Sequence, residues 1–162
     1  MSVTLMRMTR ELCHQLYRDW QNGEVIYTDM SLFRPCRYDA AETDRYFDSR
    51  QQPDRLLFAV MLRDRVIGEV QLKRIDPVKK ECTLSIHLQN DSFKGRGYGT
   101  EAEKQAVAFD MLGMETVLAD TVLKNTRSAR VPEKAGFRFL RQEGGFRYYR
   151  IDRTPDKQER PE

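Results

Sequence analysis

The chain has 162 residues, 40% of them hydrophobic and 33% charged, a balance typical of one globular domain. Its 28 basic and 25 acidic residues leave a net charge of +3, too small to favour nucleic acid as a partner. No stretch approaches the roughly 18 apolar residues of a membrane span, and the N-terminus lacks an apolar signal core. We therefore expect no membrane partner and a cytoplasmic location. An odd number of widely spaced cysteines predicts neither a disulfide framework nor a metal site; they are Cys13, Cys36 and Cys82.

Hydrophobic periodicity divides the chain into eleven elements. It predicts a strand at 3–7, a helix over 10–20 that Asn22 and Gly23 end, and a helix over 40–51. Three strands at 56–62, 66–73 and 82–88 follow, and their short connections predict an antiparallel meander. A helix over 100–112 and a strand over 115–122 predict a parallel neighbour reached by a crossover. A short helix that ends near Gly136 and a hairpin of 137–143 and 146–151 complete one domain over 1–152, and we expect the polar residues 153–162 to form a disordered tail.

The segment 93–100 carries three glycines between an apolar strand and an amphipathic helix. The backbone N–H groups of Gly95, Gly97 and Gly99 can approach an anion closely because no side chain intervenes. The N-terminus of the helix favours negative charge as well. This combination predicts a phosphate site.

Several classes of phosphate ligand use such a loop. An ATPase of the Walker type is excluded, since the chain contains no Gly-Lys pair. The pattern Gly97-x-Gly99-x-x-Ala102, with Asp120 about 20 residues further on, fits a dinucleotide site. Only about 60 residues follow Gly97, however, too few for the remaining βα units of that fold. A flexible turn without a ligand is the other alternative.

The same segment resembles the motif of the GCN5-related N-acetyltransferases (GNAT), Gln/Arg-x-x-Gly-x-Gly/Ala. Lys94 takes the first position, where it departs from the pattern, and Gly97 and Gly99 take the glycine positions. The segment 125–137 resembles the Asn-x-x-Ser and Glu-Lys-x-Gly-Phe stretch of the subgroup with ribosomal-protein and spermidine acetyltransferases. The order of elements over residues 3–151 is also similar to that family. The resemblance implies a GNAT-type α/β (α+β) fold, with a mixed, mostly antiparallel central sheet flanked by helices in the order β-α-α-β-β-β-α-β-α-β-β.

The resemblance implies an enzyme that moves an acetyl group directly from acetyl-CoA to a primary amine. The acceptor could be a protein N-terminus, a polyamine, an aminoglycoside or another small amine, and residues 22–39 are expected to help form its site. The alternative is a non-catalytic acyl-CoA-binding or regulatory module, because Pro132 stands where many members carry a catalytic tyrosine. A homodimer is also common in such proteins.

The resemblance assigns the pyrophosphate of coenzyme A to the backbone of 94–100 and the pantetheine arm to the strand end at 86–88. Asn125 matches a position that contacts the arm, although it can also cap the following helix. Nearby cations are candidates for the phosphates, or form an ordinary charged surface. The predicted cofactor residues are Ile86, His87, Leu88, Lys94, Gly95, Arg96, Gly97, Tyr98, Gly99, Thr100, Asn125, Arg127, Ser128, Arg130 and Lys134.

The catalytic groups are less determined by the sequence. An amine with a pKa near ~10 must lose a proton before it attacks, and Glu69 and His87 are the candidate bases, each with a structural role as the alternative. The hydroxyl of Ser128 is the candidate acid for the departing thiolate, or a helix cap. Pro132 predicts a kink in the last helix, or a helix that starts there. We expect His14 on the surface and the cysteines to be inert.

Overall fold

The computed structural model of the chain describes residues 2–21, 37–107, 113–122 and 126–152. The order of elements is the predicted one, with an added 3-10 turn at Asp91–Phe93. The predicted tail, 153–162, lies outside the described residues. No helix in the described part of the chain combines the length and apolar character of a membrane span. The elements are β1 (Thr4–Arg7), α1 (Arg10–Arg18), α2 (Ala40–Ser49), β2 (Leu56–Leu62), β3 (Arg65–Asp76), β4 (Glu81–Leu88), α3 (Tyr98–Val107), β5 (Thr116–Val122), α4 (Thr126–Lys134), β6 (Arg138–Glu143) and β7 (Phe146–Asp152).

The strands form one seven-stranded sheet in the order β1-β2-β3-β4-β5-β7-β6. The predicted meander is confirmed, because β2, β3 and β4 pair antiparallel in sequence. The crossover through α3 makes β5 the parallel neighbour of β4, and β5, β7 and β6 then pair antiparallel. The sheet is therefore mixed and mostly antiparallel, as predicted.

Each face of the sheet carries its own hydrophobic core. On one face, residues of α3 such as Ala102 and Ala106 pack on Val70, Leu72 and Leu84. On the other face, Leu16 and Cys13 of α1 pack on Leu57 and Ala59 of β2. Strand residues alternate between the two faces, which is why the period-2 pattern of the sequence located the strands well. The helices α1 and α2 thus lie on one side of the sheet and α3 and α4 on the other.

Helix α1 is shorter than predicted. The sequence predicted a helix over 10–20 that Asn22 and Gly23 end, but the helix ends at Arg18 with Asp19 as its C-cap. The backbone N–H of Gln21 then donates to the carbonyl of Gln89 at 2.8 Å. The chain leaves the helix early because it gains this hydrogen bond to the end of β4, a contact distant in sequence.

Helix α4 begins at Thr126 and continues through Pro132 to Lys134. The predicted start at Pro132 is therefore wrong. Proline lacks the N–H that would bond to the carbonyl of Ser128, so its place near the end of the helix costs one hydrogen bond. The carbonyl of Pro132 accepts the N–H of Phe137 at 2.9 Å, which helps to close the helix.

Side chains of α3 cover the open edge of β1. The N–H of Val3 donates to Glu101 Oε2 at 3.2 Å, and the N–H of Leu5 donates to Gln105 Oε1 at 3.1 Å. Gln105 Nε2 donates in return to the carbonyl of Val3 at 2.7 Å. These bonds satisfy backbone groups that an edge strand would otherwise leave for another chain.

Glu103 of α3 is a buried carboxyl group outside these contacts. Its side chain is 2% exposed, and Oε2 has no hydrogen-bond partner among the described residues. Burial raises the pKa of Glu103 to about 8, because a charge there would lose its hydration. The folded protein therefore holds this carboxyl in its neutral form at pH 7.

This burial predicts a stability that falls with pH. Because the folded pKa lies above the unfolded one, the contribution of Glu103 is complete below about pH 4.5 and is lost by about pH 8, at a cost of roughly 3–5 kcal/mol. The substitution Glu103→Gln removes the titration, so the variant should gain stability relative to wild type as the pH rises. Denaturant unfolding at about pH 5, 7 and 9 measures this. The exposed Glu133→Gln is the control, and a Glu103→Gln difference that stays constant with pH would contradict the prediction.

Candidate functional site

The central feature of the site is a gap within the sheet. The parallel ladder of β4 and β5 runs from Glu81 and Thr116 to Leu84 and Ala119, where it ends. Both strands continue beyond that point, β4 against β3 and β5 against β7. The two halves of the sheet therefore diverge. Backbone groups of β4 that face the gap are open to a ligand with amide groups of its own.

A glycine-rich loop leads from the end of β4 to α3. Gly95 and Gly97 have φ angles of +74° and +85°, which other residues rarely adopt. Apart from the neighbours in the chain, no atom of the described residues lies within 4 Å of a Cβ built on either glycine, so the described part of the chain leaves this space open. The carbonyl of Gly97 accepts the N–H of Glu101 at 3.0 Å, which makes Gly97 the N-cap of α3. Glycine has no side-chain oxygen to occupy the first N–H groups of the helix, and an anion can bind them instead.

The start of α3 lies beside the gap. A Cβ on Gly99 would lie 3.5 Å from Val131 of α4 and 4.0 Å from Ile86 of β4. Gly99 therefore sits between α4 and the part of β4 that has lost its parallel partner. The phosphate site predicted from the sequence and the gap in the sheet are thus adjacent.

The two predicted bases lie on the same face of neighbouring strands. Glu69 of β3 and His87 of β4 are direct partners in the antiparallel register. Paired residues of this kind have Cβ atoms roughly 5 Å apart. They point to the side of α1 and α2, opposite to Leu84 and Ile86. The sequence predicted that His87 faces away from the apolar surface, and the packing of the core agrees.

Glu69 is the centre of a buried hydrogen-bond network and is 2% exposed. The hydroxyl groups of Tyr17 and Tyr46 donate to Glu69 Oε1 at 2.8 and 2.7 Å. These bonds join α1 and α2 to the sheet, and burial together with the nearby carboxylate raises the pKa of both tyrosines. Glu69 Oε2 is buried and has no hydrogen-bond partner among the described residues. Glu69 thus has a structural role, and one of its oxygens remains for a donor from elsewhere.

His87 lies near the end of β4, beyond the part of that strand that pairs with β5. Solvent reaches its side chain, but surrounding protein reduces the hydration of the ring and lowers the pKa of His87. Lys73 and Lys94 act in the same direction, whereas the carboxylates of Glu69 and Asp120 oppose the shift. The imidazole is consequently neutral at pH 7 and able to accept a proton.

Asp120 is the residue that the sequence interpretation did not place in this site. It belongs to the part of β5 beyond the parallel ladder and pairs with Tyr148 of β7. Alternation along β5 puts it on the opposite face from the buried Ala119, the face that carries His87 on the other side of the gap. The sequence signal was a charged residue within an apolar strand, but only the strand order brings it near His87.

Two acidic residues in and next to α2, Asp39 and Asp44, form hydrogen bonds that stabilise the structure. Asp39, the last residue of the expected acceptor segment, is the N-cap of α2, and its Oδ1 accepts the N–H of Glu42 at 2.8 Å. Asp44 accepts from Arg10 at 2.9 Å and bonds to Nε2 of His14 at 2.8 Å. His14 also bonds to the hydroxyl of Tyr38 at 2.7 Å. Its side chain is 18% exposed, so the expected surface histidine is half-buried where α1 meets Tyr38 and α2.

The remaining predicted residues divide into two groups. Arg96, Arg130 and Lys134 are exposed, and Lys94 is half-buried in the loop. Asn125 lies outside the described residues, as do 22–36 of the expected acceptor segment. For Arg127 and Ser128 the structure describes only the backbone, within α4, and the predicted roles of their side chains stay predictions.

The described cysteines do not suit covalent chemistry. Burial raises the pKa of the Cys13 thiol to about 12 and that of Cys82 to about 11. A thiol nucleophile needs a lowered pKa and an adjacent base. Neither of these two residues is ionised near neutral pH, and Cys36 lies outside the described residues.

Comparisons with known proteins agree with this geometry. Among solved structures, the aminoglycoside acetyltransferase AAC(6')-Ib, crystallised with ribostamycin and coenzyme A, has a TM-score of 0.74 at 22% identity over 94% of both chains. Spermidine N-acetyltransferase from Vibrio cholerae, in complex with CoA and spermine, has a TM-score of 0.73 at 16% identity over 93% of this chain and 95% of that one. At these identities the likeness shows the fold alone.

The sequence comparison identifies the family. A search of curated protein sequences finds no significant match. Residues 3–138 match the family described as the acetyltransferase (GNAT) domain, which covers most of the chain. The two motifs, the order of elements and the divergent strands agree with this match, and the predicted family and fold are confirmed. The chain belongs to the GNAT acetyltransferase family.

Proposed function

We propose that the chain transfers an acetyl group from acetyl-CoA directly to a primary amine. The observation that carries the proposal is the divergence of β4 and β5 beside a helix whose N-cap is glycine. The glycine-capped helix suits the pyrophosphate, and the gap suits the extended pantetheine arm. Few other ligands combine a diphosphate with a long chain of amide groups.

The cofactor lies across the edge of β4 in this proposal. Backbone N–H groups of 97–100 bind the pyrophosphate, and the strand end at 86–88 pairs with the pantetheine amides. A backbone N–H near Leu88 polarises the thioester carbonyl and receives the charge that develops on its oxygen. The exposed cations Arg96, Arg130 and Lys134 are close enough in sequence to these motifs to serve the 3′-phosphate.

The amine approaches from the face of α1 and α2. Glu69 Oε2 and the carboxylate of Asp120 provide negative charge for a substrate ammonium on either side of His87. The neutral imidazole accepts the proton, directly or through a water molecule, before the amine attacks the thioester. The hydroxyl of Ser128 is the proposed acid for the departing thiolate. Spermine and aminoglycosides, present in the two similar structures, are the first acceptors to test, and a homodimer stays a prediction.

Turnover on a panel of amines tests the proposed function. The protein is mixed with acetyl-CoA and with spermine, kanamycin or a peptide with a free N-terminus, and a thiol reagent measures the release of CoA. We expect release that depends on at least one of these amines. Tight acetyl-CoA binding without release on any amine would favour the non-catalytic module. Absence of both binding and release would contradict the proposal.

The open space beside Gly97 predicts a specific effect of a methyl group. Gly97→Ala places a Cβ where the phosphate approaches and strains a residue at φ +85°. We expect acetyl-CoA affinity to fall roughly tenfold or more, measured by calorimetry. Gly144→Ala in the β6–β7 turn is the matched control, because its φ is +60° and its surroundings are equally open. Both variants should lose about 1–2 kcal/mol of stability, but equal affinity losses in the two would contradict the prediction.

The role of His87 is tested by the pH dependence of kcat/KM. Because its pKa is lowered, His87 stays neutral at pH 7 and becomes protonated only on the acid side, where wild-type activity should fall. His87→Gln should lower kcat by roughly 10²–10⁴ and abolish this acid limb. His14→Gln changes the other histidine of the chain and should keep the limb. If His87→Gln keeps nearly wild-type activity, His87 is not the general base, and Asp120 and Glu69 become the candidates.

A further inference from the structure

Gln89 directly follows β4, at the start of the glycine-rich loop that is the proposed cofactor loop, and it is 1% exposed. Each of its polar atoms has a partner. Its backbone N–H donates to the carbonyl of Ile67 at 2.7 Å, and its carbonyl accepts the N–H of Gln21 at 2.8 Å. Its side-chain Nε2 donates to the carbonyl of Leu16 at 2.8 Å, and Oε1 accepts from Arg65 at 3.1 Å. A buried amide bonded at both ends specifies one arrangement of its neighbours, since breaking either bond leaves a group unsatisfied.

One branch of this network holds the end of α1. The carbonyl of Leu16 belongs to the last turn of the helix, where carbonyl groups lack partners within the helix. The side chain of Gln89 provides that partner from the end of the sheet. The hydrogen bond from the N–H of Gln21 to the carbonyl of Gln89 is a second contact between the two segments. Residue 22, the next in the chain, begins the segment 22–39 expected to help form the acceptor site.

The other branch holds the cofactor loop. The guanidinium of Arg65, which donates to Gln89, lies 5.1 Å from the centre of the Phe93 ring. Phe93 packs against the core on the side of α3 and directly precedes Lys94 and Gly95. Arg65 therefore connects Gln89 with the start of the glycine-rich loop.

We propose that Gln89 is a positioning residue that holds the cofactor loop and the end of α1 in one arrangement. It acts on the loop through Arg65 and Phe93, and on the acceptor side through Leu16. The inference rests on the proposed function, because it requires acetyl-CoA at the loop and an amine beyond α1. Loss of the side-chain amide should weaken the binding of both acetyl-CoA and the amine, while His87 and Asp120 stay in place.

The substitution Gln89→Leu tests this directly. It removes both side-chain hydrogen bonds at similar volume and leaves the two backbone bonds intact. We expect KM for acetyl-CoA and KM for the best amine of the panel each to rise roughly five- to tenfold, the equivalent of about one hydrogen bond on each branch. The value of kcat should change less than about threefold at a temperature well below Tm.

Gln105→Leu is the matched control. Gln105 also makes two side-chain hydrogen bonds, both of them to backbone groups, but it joins α3 to β1 at a distance from the loop. Its loss should lower Tm without a change in either KM. A merely structural role of Gln89 would give the same pattern in Gln89→Leu, a lower Tm with unchanged KM values, and that result would overturn the inference.

Gln89→Glu separates the two branches and provides a second variant if Gln89→Leu folds poorly. A carboxylate keeps an oxygen for Arg65 but cannot donate to the Leu16 carbonyl. We expect KM for acetyl-CoA near the wild-type value and KM for the amine raised, whereas wild-type values of both would overturn the inference. Calorimetry on the wild type is done first: failure to bind acetyl-CoA refutes the proposed function and this inference together, while binding with unchanged KM values in the variants refutes the inference alone.

Discussion

The structure depends on the end of one ladder, between β4 and β5 at Leu84 and Ala119. Beyond this point β4 still pairs with β3, and β5 still pairs with β7. The two halves of the sheet can therefore separate while each half keeps its own strand pairing. Among the described residues, no strand pairs with β4 on this side beyond Leu84, and an unpaired backbone group is satisfied by water or by a ligand. The gap also connects the two faces of the sheet. A cofactor bound from the side of α3 can therefore present its acetyl group to an amine on the side of α1 and α2.

Two buried carboxyl groups, one on each face, meet the cost of burial differently. Glu69 accepts two tyrosine hydroxyl groups, which replace part of its lost hydration and join α1 and α2 to the sheet. Glu103 has no such donors among the described residues, and the rise of its pKa to about 8 leaves it neutral at pH 7. Polar partners thus make one carboxyl group a connection between layers, whereas the other remains a source of pH-dependent instability. The difference follows from neighbours and not from the residue type.

The sequence predicted what local periodicity and backbone chemistry determine. Alternation located the strands, and the glycines of 95–99 predicted the phosphate site. Local patterns could not predict contacts between residues that are far apart in the chain. The early end of α1 depends on the bond from Gln21 to Gln89, and the partial burial of His14 depends on Tyr38 and Asp44. The sequence named Glu69 and His87 separately, but only the strand register makes them partners, and only the strand order brings Asp120 to their face.

The glycine-rich loop between β4 and α3, which is the proposed cofactor loop, needs both conformational freedom and a fixed starting point. Gly95 and Gly97 adopt left-handed backbone angles and leave space for a ligand, but glycine also has the most conformational entropy to lose when the loop becomes ordered. A loop whose first residue is mobile would lose still more on binding, at the expense of affinity. The fully bonded Gln89 limits that loss, because it fixes the point where the loop leaves β4. The same residue holds the end of α1, so one buried amide connects that helix end with the start of the glycine-rich loop.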